Sequence, residues 1–235
     1  MLSWLRKILF PDECGKEPRR KISPFFEIGF HGDEYLLSLA GHLANGSRVY
    51  IETGANVGST LAYVARTHPA LRCLSCEPDQ EAFAAARMNA GKFGNVFLFR
   101  GTSQEFIAHL ADHESGIFSE QCLFWLDAHG YGFEWPLKKE LEFITNRFSA
   151  GFILIDDFKV PGWEQFIYDK YQGQICSYDY IKDALNPGKT YQLYYPTYSD
   201  KTSHHHPLCG WGLLIFGHED FHIPAQLADK MERAL

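Results

Sequence analysis

Residues 48–60 read Arg-Val-Tyr-Ile-Glu-Thr-Gly-Ala-Asn-Val-Gly-Ser-Thr. The first six form a short apolar run with β-branched and aromatic residues, and STLAYVARTH (59–68) carries apolar residues at helical spacing. Gly54 and Gly58 stand between them. A strand that enters a glycine turn and leaves it as a helix is the repeating unit of an α/β fold, and glycines at that turn let a ligand approach the backbone closely. Outward from this unit the chain alternates. LRCLSCE (71–77), NVFLFRG (95–101), CLFWLD (122–127) and FILIDD (152–157) read as strands. DQEAFAAARMNAGK (79–92), SQEFIAHLADH (103–113) and WPLKKELEFITNRF (135–148) read as helices, as does DEYLLSLAGHLAN (33–45) upstream, stopped by Gly46. The strands are near-continuous apolar runs, which suits strands buried on both faces of a parallel sheet with right-handed crossovers.

The pattern changes after residue 158. Residues 158–190 are aromatic and polar, with a weak helix expected around 162–170. TYQLYYPTY (190–198) and GWGLLIFG (210–217) then read as an antiparallel hairpin at the sheet edge, and PAQLADKMERAL as a closing helix with Pro224 at its first turn. The expected architecture is a Rossmann-like α/β fold: a mostly parallel seven-stranded sheet with an antiparallel C-terminal hairpin strand. Residues 1–30 are expected to be an N-terminal extension. Its first ten residues can form a short amphipathic helix that docks on the domain or meets a membrane surface or a partner.

Composition narrows the class. Of 235 residues, 46% are hydrophobic and 22% charged, which excludes a disordered chain, a collagen and a coiled coil. A net charge of -7 argues against a broad basic face, so no nucleic-acid partner is expected. No apolar run reaches the roughly 18 residues of a membrane span, and MLSWLRKILF is a poor secretory signal. The six cysteines are scattered, and Cys73 and Cys76 fall inside a strand rather than at a metal-ligand turn. Buried, reduced thiols are expected, and with them a cytoplasmic location.

Several residues carry chemistry. Glu52 precedes Gly54, where it would repel a pyrophosphate but welcome a cationic amino-acid ligand. Glu77 closes the second strand, where a carboxylate can accept hydrogen bonds from ribose hydroxyls. These features point to a nucleoside ligand with positive charge and no phosphate. Here the chain resembles the class I S-adenosylmethionine-dependent methyltransferases. Gly101-Thr102-Ser103-Gln104-Glu105, Leu126-Asp127-Ala128-His129 and Leu154-Ile155-Asp156-Asp157 extend the resemblance, over roughly residues 48–162, to the catechol O-methyltransferase type.

That resemblance implies a methyltransferase with S-adenosylmethionine held by Glu52, Gly54, Asn56, Gly58, Glu77, Ser103, Gln104 and Asp127. It further implies a small-molecule acceptor and a divalent cation, Mg²⁺, held by Asp127 and Asp156, with Asp157 standing where the family has asparagine. The family's lysine base is replaced by Gly130, which leaves His129 or Asp127 as the catalytic group. On this reading residues 31–235 are a single methyltransferase-like domain, with a cofactor half at 48–127 and an acceptor or lid region at 158–209. From the residues alone, the three aspartates fall at the carboxyl ends of parallel strands. They can hold a cation or instead cap helices and contact the cofactor. His129 is equally a general base or a loop-holding residue. Trp135, Trp163, Tyr168, Tyr171, Tyr178 and Tyr180 wall an acceptor pocket or simply pack. His204–His206 line a substrate rim or a solvated loop. Oxygen is the expected nucleophile. A nitrogen, glycan or peptide acceptor, a cofactor-binding scaffold, and a homodimer stay open.

Overall fold

The computed structural model describes residues 28–128, 135–199, 207–218 and 221–235. Its centre is an eight-stranded sheet. Strands β1 (Val49–Thr53), β2 (Arg72–Glu77), β3 (Val96–Arg100), β4 (Cys122–Leu126) and β5 (Gly151–Ile155) are parallel and lie in the order β3-β2-β1-β4-β5. The sheet continues through β9 (Gly212–Phe216), β8 (Tyr191–Pro196) and β10 (Met231–Arg233). Strand β9 is antiparallel to both β5 and β8. Every residue of β1, β4, β5 and β9 is buried, which is why these segments are apolar without alternation.

Helices fill the crossovers as the spacing predicts: α1 (Glu34–Asn45), α2 (Ser59–Thr67), α3 (Gln80–Asn89), α4 (Ser103–His113) and α5 (Leu137–Arg147). Their starts are chemically defined. Asp33 accepts from the backbone N–H groups of Tyr35 and Leu36, and Asp79 from those of Glu81 and Ala82. Thr102 and Glu105 form a reciprocal capping box on α4. The five described cysteines are buried and form no disulfide with one another, with Cys73 and Cys76 inside β2. No helix among the described residues is long and apolar enough to cross a membrane.

Two expectations are corrected. The weak helix around 162–170 is a loop leading into a small hairpin, β6 (Lys170–Tyr171) and β7 (Gln174–Ile175). Gln172 and Gly173 turn it with φ of 48° and 80°, the left-handed pair of a type I′ turn. The C-terminal helix is one turn, Ala225–Ala228, and the chain then extends as β10 along β8, which gives the sheet one strand more than expected. A short isolated helix gains little from propensity, whereas β8 offers a row of backbone groups that β10 can pair. The N-terminal amphipathic segment lies outside the described residues.

Candidate active site at the strand ends

The register across the sheet sets the site. Thr53 is level with Cys76 on one side and Leu126 on the other, and Leu126 is level with Ile155. One residue further on, Glu77, Gly54, Asp127 and Asp156 therefore stand in one row at the carboxyl ends of four neighbouring strands. Ligands of open α/β sheets bind in this crevice. The Asp127 N–H donates to the Thr53 carbonyl and the Asp156 N–H to the Leu126 carbonyl, so the row is held by the ladder itself.

On the β1–β2 side, Gly54 has φ +82° and a Cβ there would lie 2.5 Å from the Asp127 carbonyl oxygen. No side chain fits, because the β1 loop passes directly over the end of β4. Gly58, with φ +78°, brings α2 against α3: its Cβ would meet Ala86 Cα at 2.9 Å. Asn56 also has positive φ, 49°, and its N–H donates to Glu77 at 2.7 Å. The other Glu77 oxygen accepts from the Asp79 N–H at 2.9 Å. Burial pushes the Glu77 carboxyl up, opposed by these two backbone bonds. Glu52 does not line the crevice openly. It is buried, accepting from Ser75 at 2.7 Å and from the Tyr50 hydroxyl at 3.2 Å. Burial raises its pKa to about 7 against those two bonds. Ser103 is buried at the first turn of α4 with half-buried Gln104 beside it.

On the β4–β5 side, Asp127, Asp156 and Asp157 line one small cleft with Trp135, Asp169 and Cys176. Of the expected aromatic residues Trp135 lines this cleft, and it stacks on Tyr180 at 4.8 Å and meets the edge of Tyr171. Trp163 packs instead near Phe166. His129 and His204–His206 lie outside the described residues.

A histidine stands beside the expected metal carboxylates. His31 Nε2 donates to Asp156 Oδ2 at 2.6 Å, on a carboxylate side chain only 1% exposed. Among the described residues no group of three or more histidine, cysteine or acidic side chains is arranged to hold a metal. Burial pushes the imidazole pKa down, but the charge and hydrogen bond of Asp156, then Asp127 and Asp157, outweigh it and raise the value to about 9.

Sequence reasoning passed over this histidine. It comes from Gly29-Phe30-His31-Gly32, four successive residues with positive φ (68°, 42°, 57° and 70°). Two of them are not glycine, at a cost of roughly 1–2 kcal/mol each. The signal available in the sequence was the Gly-x-x-Gly bracket just before an Asp N-cap. What holds the turn comes from far away. Phe30 is buried with its ring edge-on to Trp125 at 5.0 Å, and its N–H donates to Thr60 Oγ1 at 3.2 Å. Asp33 accepts the Tyr198 hydroxyl, which accepts from Trp211 Nε1 at 3.0 Å.

No family model and no curated protein matches the chain. Solved structures do. An O-methyltransferase from Bacillus cereus in complex with SAH is 14% identical with a TM-score of 0.55, covering 91% of this chain and 95% of that one. The O-methyltransferase TomG from Streptomyces achromogenes, involved in tomaymycin synthesis and in complex with SAM, is 16% identical with a TM-score of 0.55, covering 89% and 84%. The chain thus has the Rossmann-like fold of these O-methyltransferases, with its strand-end row where that fold places its ligands.

Proposed function

We propose that the protein is an S-adenosylmethionine-dependent methyltransferase acting on an oxygen of a small molecule. The observation that carries this reading is the row Glu77, Gly54, Asp127 and Asp156 across adjacent strand ends, in a fold shared with O-methyltransferases. The residues suit the cofactor. A carboxylate offers about four acceptor positions, so Glu77 keeps capacity for ribose hydroxyls beside its two backbone bonds. The turn 54–58 brings backbone near the ligand without side chains at Gly54 and Gly58. Glu52, Asn56, Ser103, Gln104 and Asp127 complete the cofactor side.

When bound, the cofactor supplies a methyl group already activated by its sulfonium. The protein's part is then to orient the acceptor and exclude water. Trp135, stacked on Tyr180, offers a planar face to the acceptor in the cleft. Asp127, in the row, and His129, two positions further along the sequence, are the groups we assign to take the acceptor proton.

Calorimetric titration tests the reading. The protein should bind S-adenosylmethionine at one site, and Glu77→Ala should weaken that binding by roughly 1.5–3 kcal/mol. A folded protein that binds neither the cofactor nor its demethylated product overturns the proposal.

A further inference from the structure

The open edge of the sheet carries a cluster of side chains that the strand-end site does not use. Strand β3 is the last strand on that side, and Phe97 on it is 39% exposed. His109 of α4 stacks on Phe97 with ring centres 5.5 Å apart and planes 8° from parallel, and its ring lies 5.2 Å from that of Phe99. His113 follows one turn later, in the sequence His109-Leu110-Ala111-Asp112-His113. Residues four apart share a helix face. The two imidazole centres are 4.7 Å apart, with planes inclined at 46°. Among the described residues neither imidazole has a hydrogen-bond partner. The Glu114 carboxylate, which accepts from Arg72 at 2.5 Å, interacts electrostatically with both rings. One imidazole is thus fixed by the aromatic rings of the edge strand, and the other is exposed beside it.

We propose that His109 and His113 form a chelating site for a transition-metal ion, Zn²⁺ foremost, at the open edge of the sheet. Imidazole nitrogen suits Zn²⁺, Ni²⁺ and Cu²⁺, whereas Mg²⁺ and Ca²⁺ prefer oxygen. The spacing fits one ion. With each nitrogen about 2.0–2.1 Å from a tetrahedral Zn²⁺, two imidazole centres stand roughly 5 Å apart, close to the 4.7 Å between these rings. Once one ring holds the ion, the other meets it at high effective concentration. Stacking on Phe97 preorganises the first ring, which lowers the cost of ordering the pair. The described residues hold no group of three ligating side chains, so the remaining positions on the ion open outward to water. The site is independent of the methyltransferase reading. It lies on the last turns of α4, whereas Ser103 and Gln104 stand at the start of that helix.

Calorimetric titration of the full chain with Zn²⁺ tests the site. The chain has eleven histidines, three of them consecutive. The reference protein therefore carries His204→Ser, His205→Ser and His206→Ser, which removes that competing run of imidazoles. It should show a saturable Zn²⁺ site. His109→Gln and His113→Gln should each weaken that site roughly tenfold or more, because one ring alone gives no chelate. Cu²⁺ should bind the same pair more tightly than Zn²⁺, and excess Mg²⁺ should not compete. Asp156→Asn should leave the Zn²⁺ affinity unchanged, which separates this site from the strand-end aspartates. His113 is exposed, so His113→Gln keeps the test informative even where loss of the stacked His109 ring disturbs the fold. A reference protein with no saturable Zn²⁺ binding overturns the proposal. So does a Zn²⁺ site that persists in folded His113→Gln, or one that Asp156→Asn abolishes. A histidine pair that only packs against the edge strand would shift stability on replacement and leave Zn²⁺ affinity where it was.

Discussion

The two sides of the strand-end row satisfy their acids by different means. On the β1–β2 side, Glu77 is held by backbone N–H groups of Asn56 and Asp79, and Glu52 by Ser75 and Tyr50 on its own and the adjacent strand. On the β4–β5 side, Asp156 is held by His31, brought from before the first strand by a left-handed turn. The first arrangement is a consequence of strand register and can be rebuilt wherever the βα unit folds. The second depends on distant elements agreeing on one position. The β1–β2 acids thus take their partners locally, while Asp156 takes one from a distant element.

The largest effect should come from joining the two sides too tightly. Gly54→Val places a side chain at positive φ against the Asp127 backbone, and should destabilise the fold by about 3 kcal/mol or more. Thermal unfolding would show it, and a loss of both cofactor binding and cleft geometry should follow together. Unchanged stability would mean that the loop does not pass over β4 as described.

Removing His31 separates the sides. His31→Ala leaves the buried Asp156 carboxylate without its ring donor and should cost on the order of 2 kcal/mol, discounted for the partial exposure of the ring. The same variant should leave cofactor affinity nearly intact, because the ring's hydrogen bond is to Asp156 and not to Glu77. A large loss of cofactor affinity would erase the distinction between the two sides.

Glu52 gives a pH test of the other side. Its carboxyl titrates at about 7 in the fold, above its ordinary 4.5, because burial disfavours the charged form. The folded state therefore holds the extra proton between these values. Its contribution is largest below pH 4.5, declines as pH rises to about 7, and is constant above. Glu52→Gln should remove that decline and so gain on the order of 2–3 kcal/mol relative to wild type at pH 8 compared with pH 4.5. Denaturant melts across this range check it, and parallel curves for the two proteins would place Glu52 in a more polar setting.

The smallest effect sharpens the contrast. Thr102→Ala removes the N-cap of α4 and should cost about 1 kcal/mol, read as a shift in denaturant midpoint. It should leave the His31 contact untouched, since the cap is local to the start of α4.

By itself the sequence determined the alternation of strands and helices from 33 to 157, because burial on both faces of a parallel sheet leaves apolar runs that periodicity reads directly. It also placed Glu77, Gly54, Asp127 and Asp156 at strand ends, since each stands where an apolar run meets a turn. Helix starts were legible in Asp33, Asp79 and Thr102, whose side chains act within three residues of their own position. The tail was not, because Met231–Arg233 becomes a strand only when β8 presents an edge to it. Tertiary structure alone decided what Asp156 meets. Three acids at strand ends suggest a cation, but only the folded chain brings His31, 125 residues away, to Asp156. That reach is set by a strained turn anchored on Thr60, Trp125 and Tyr198, contacts with no local signature, since the energy that holds the turn comes from packing rather than from the residues that adopt it.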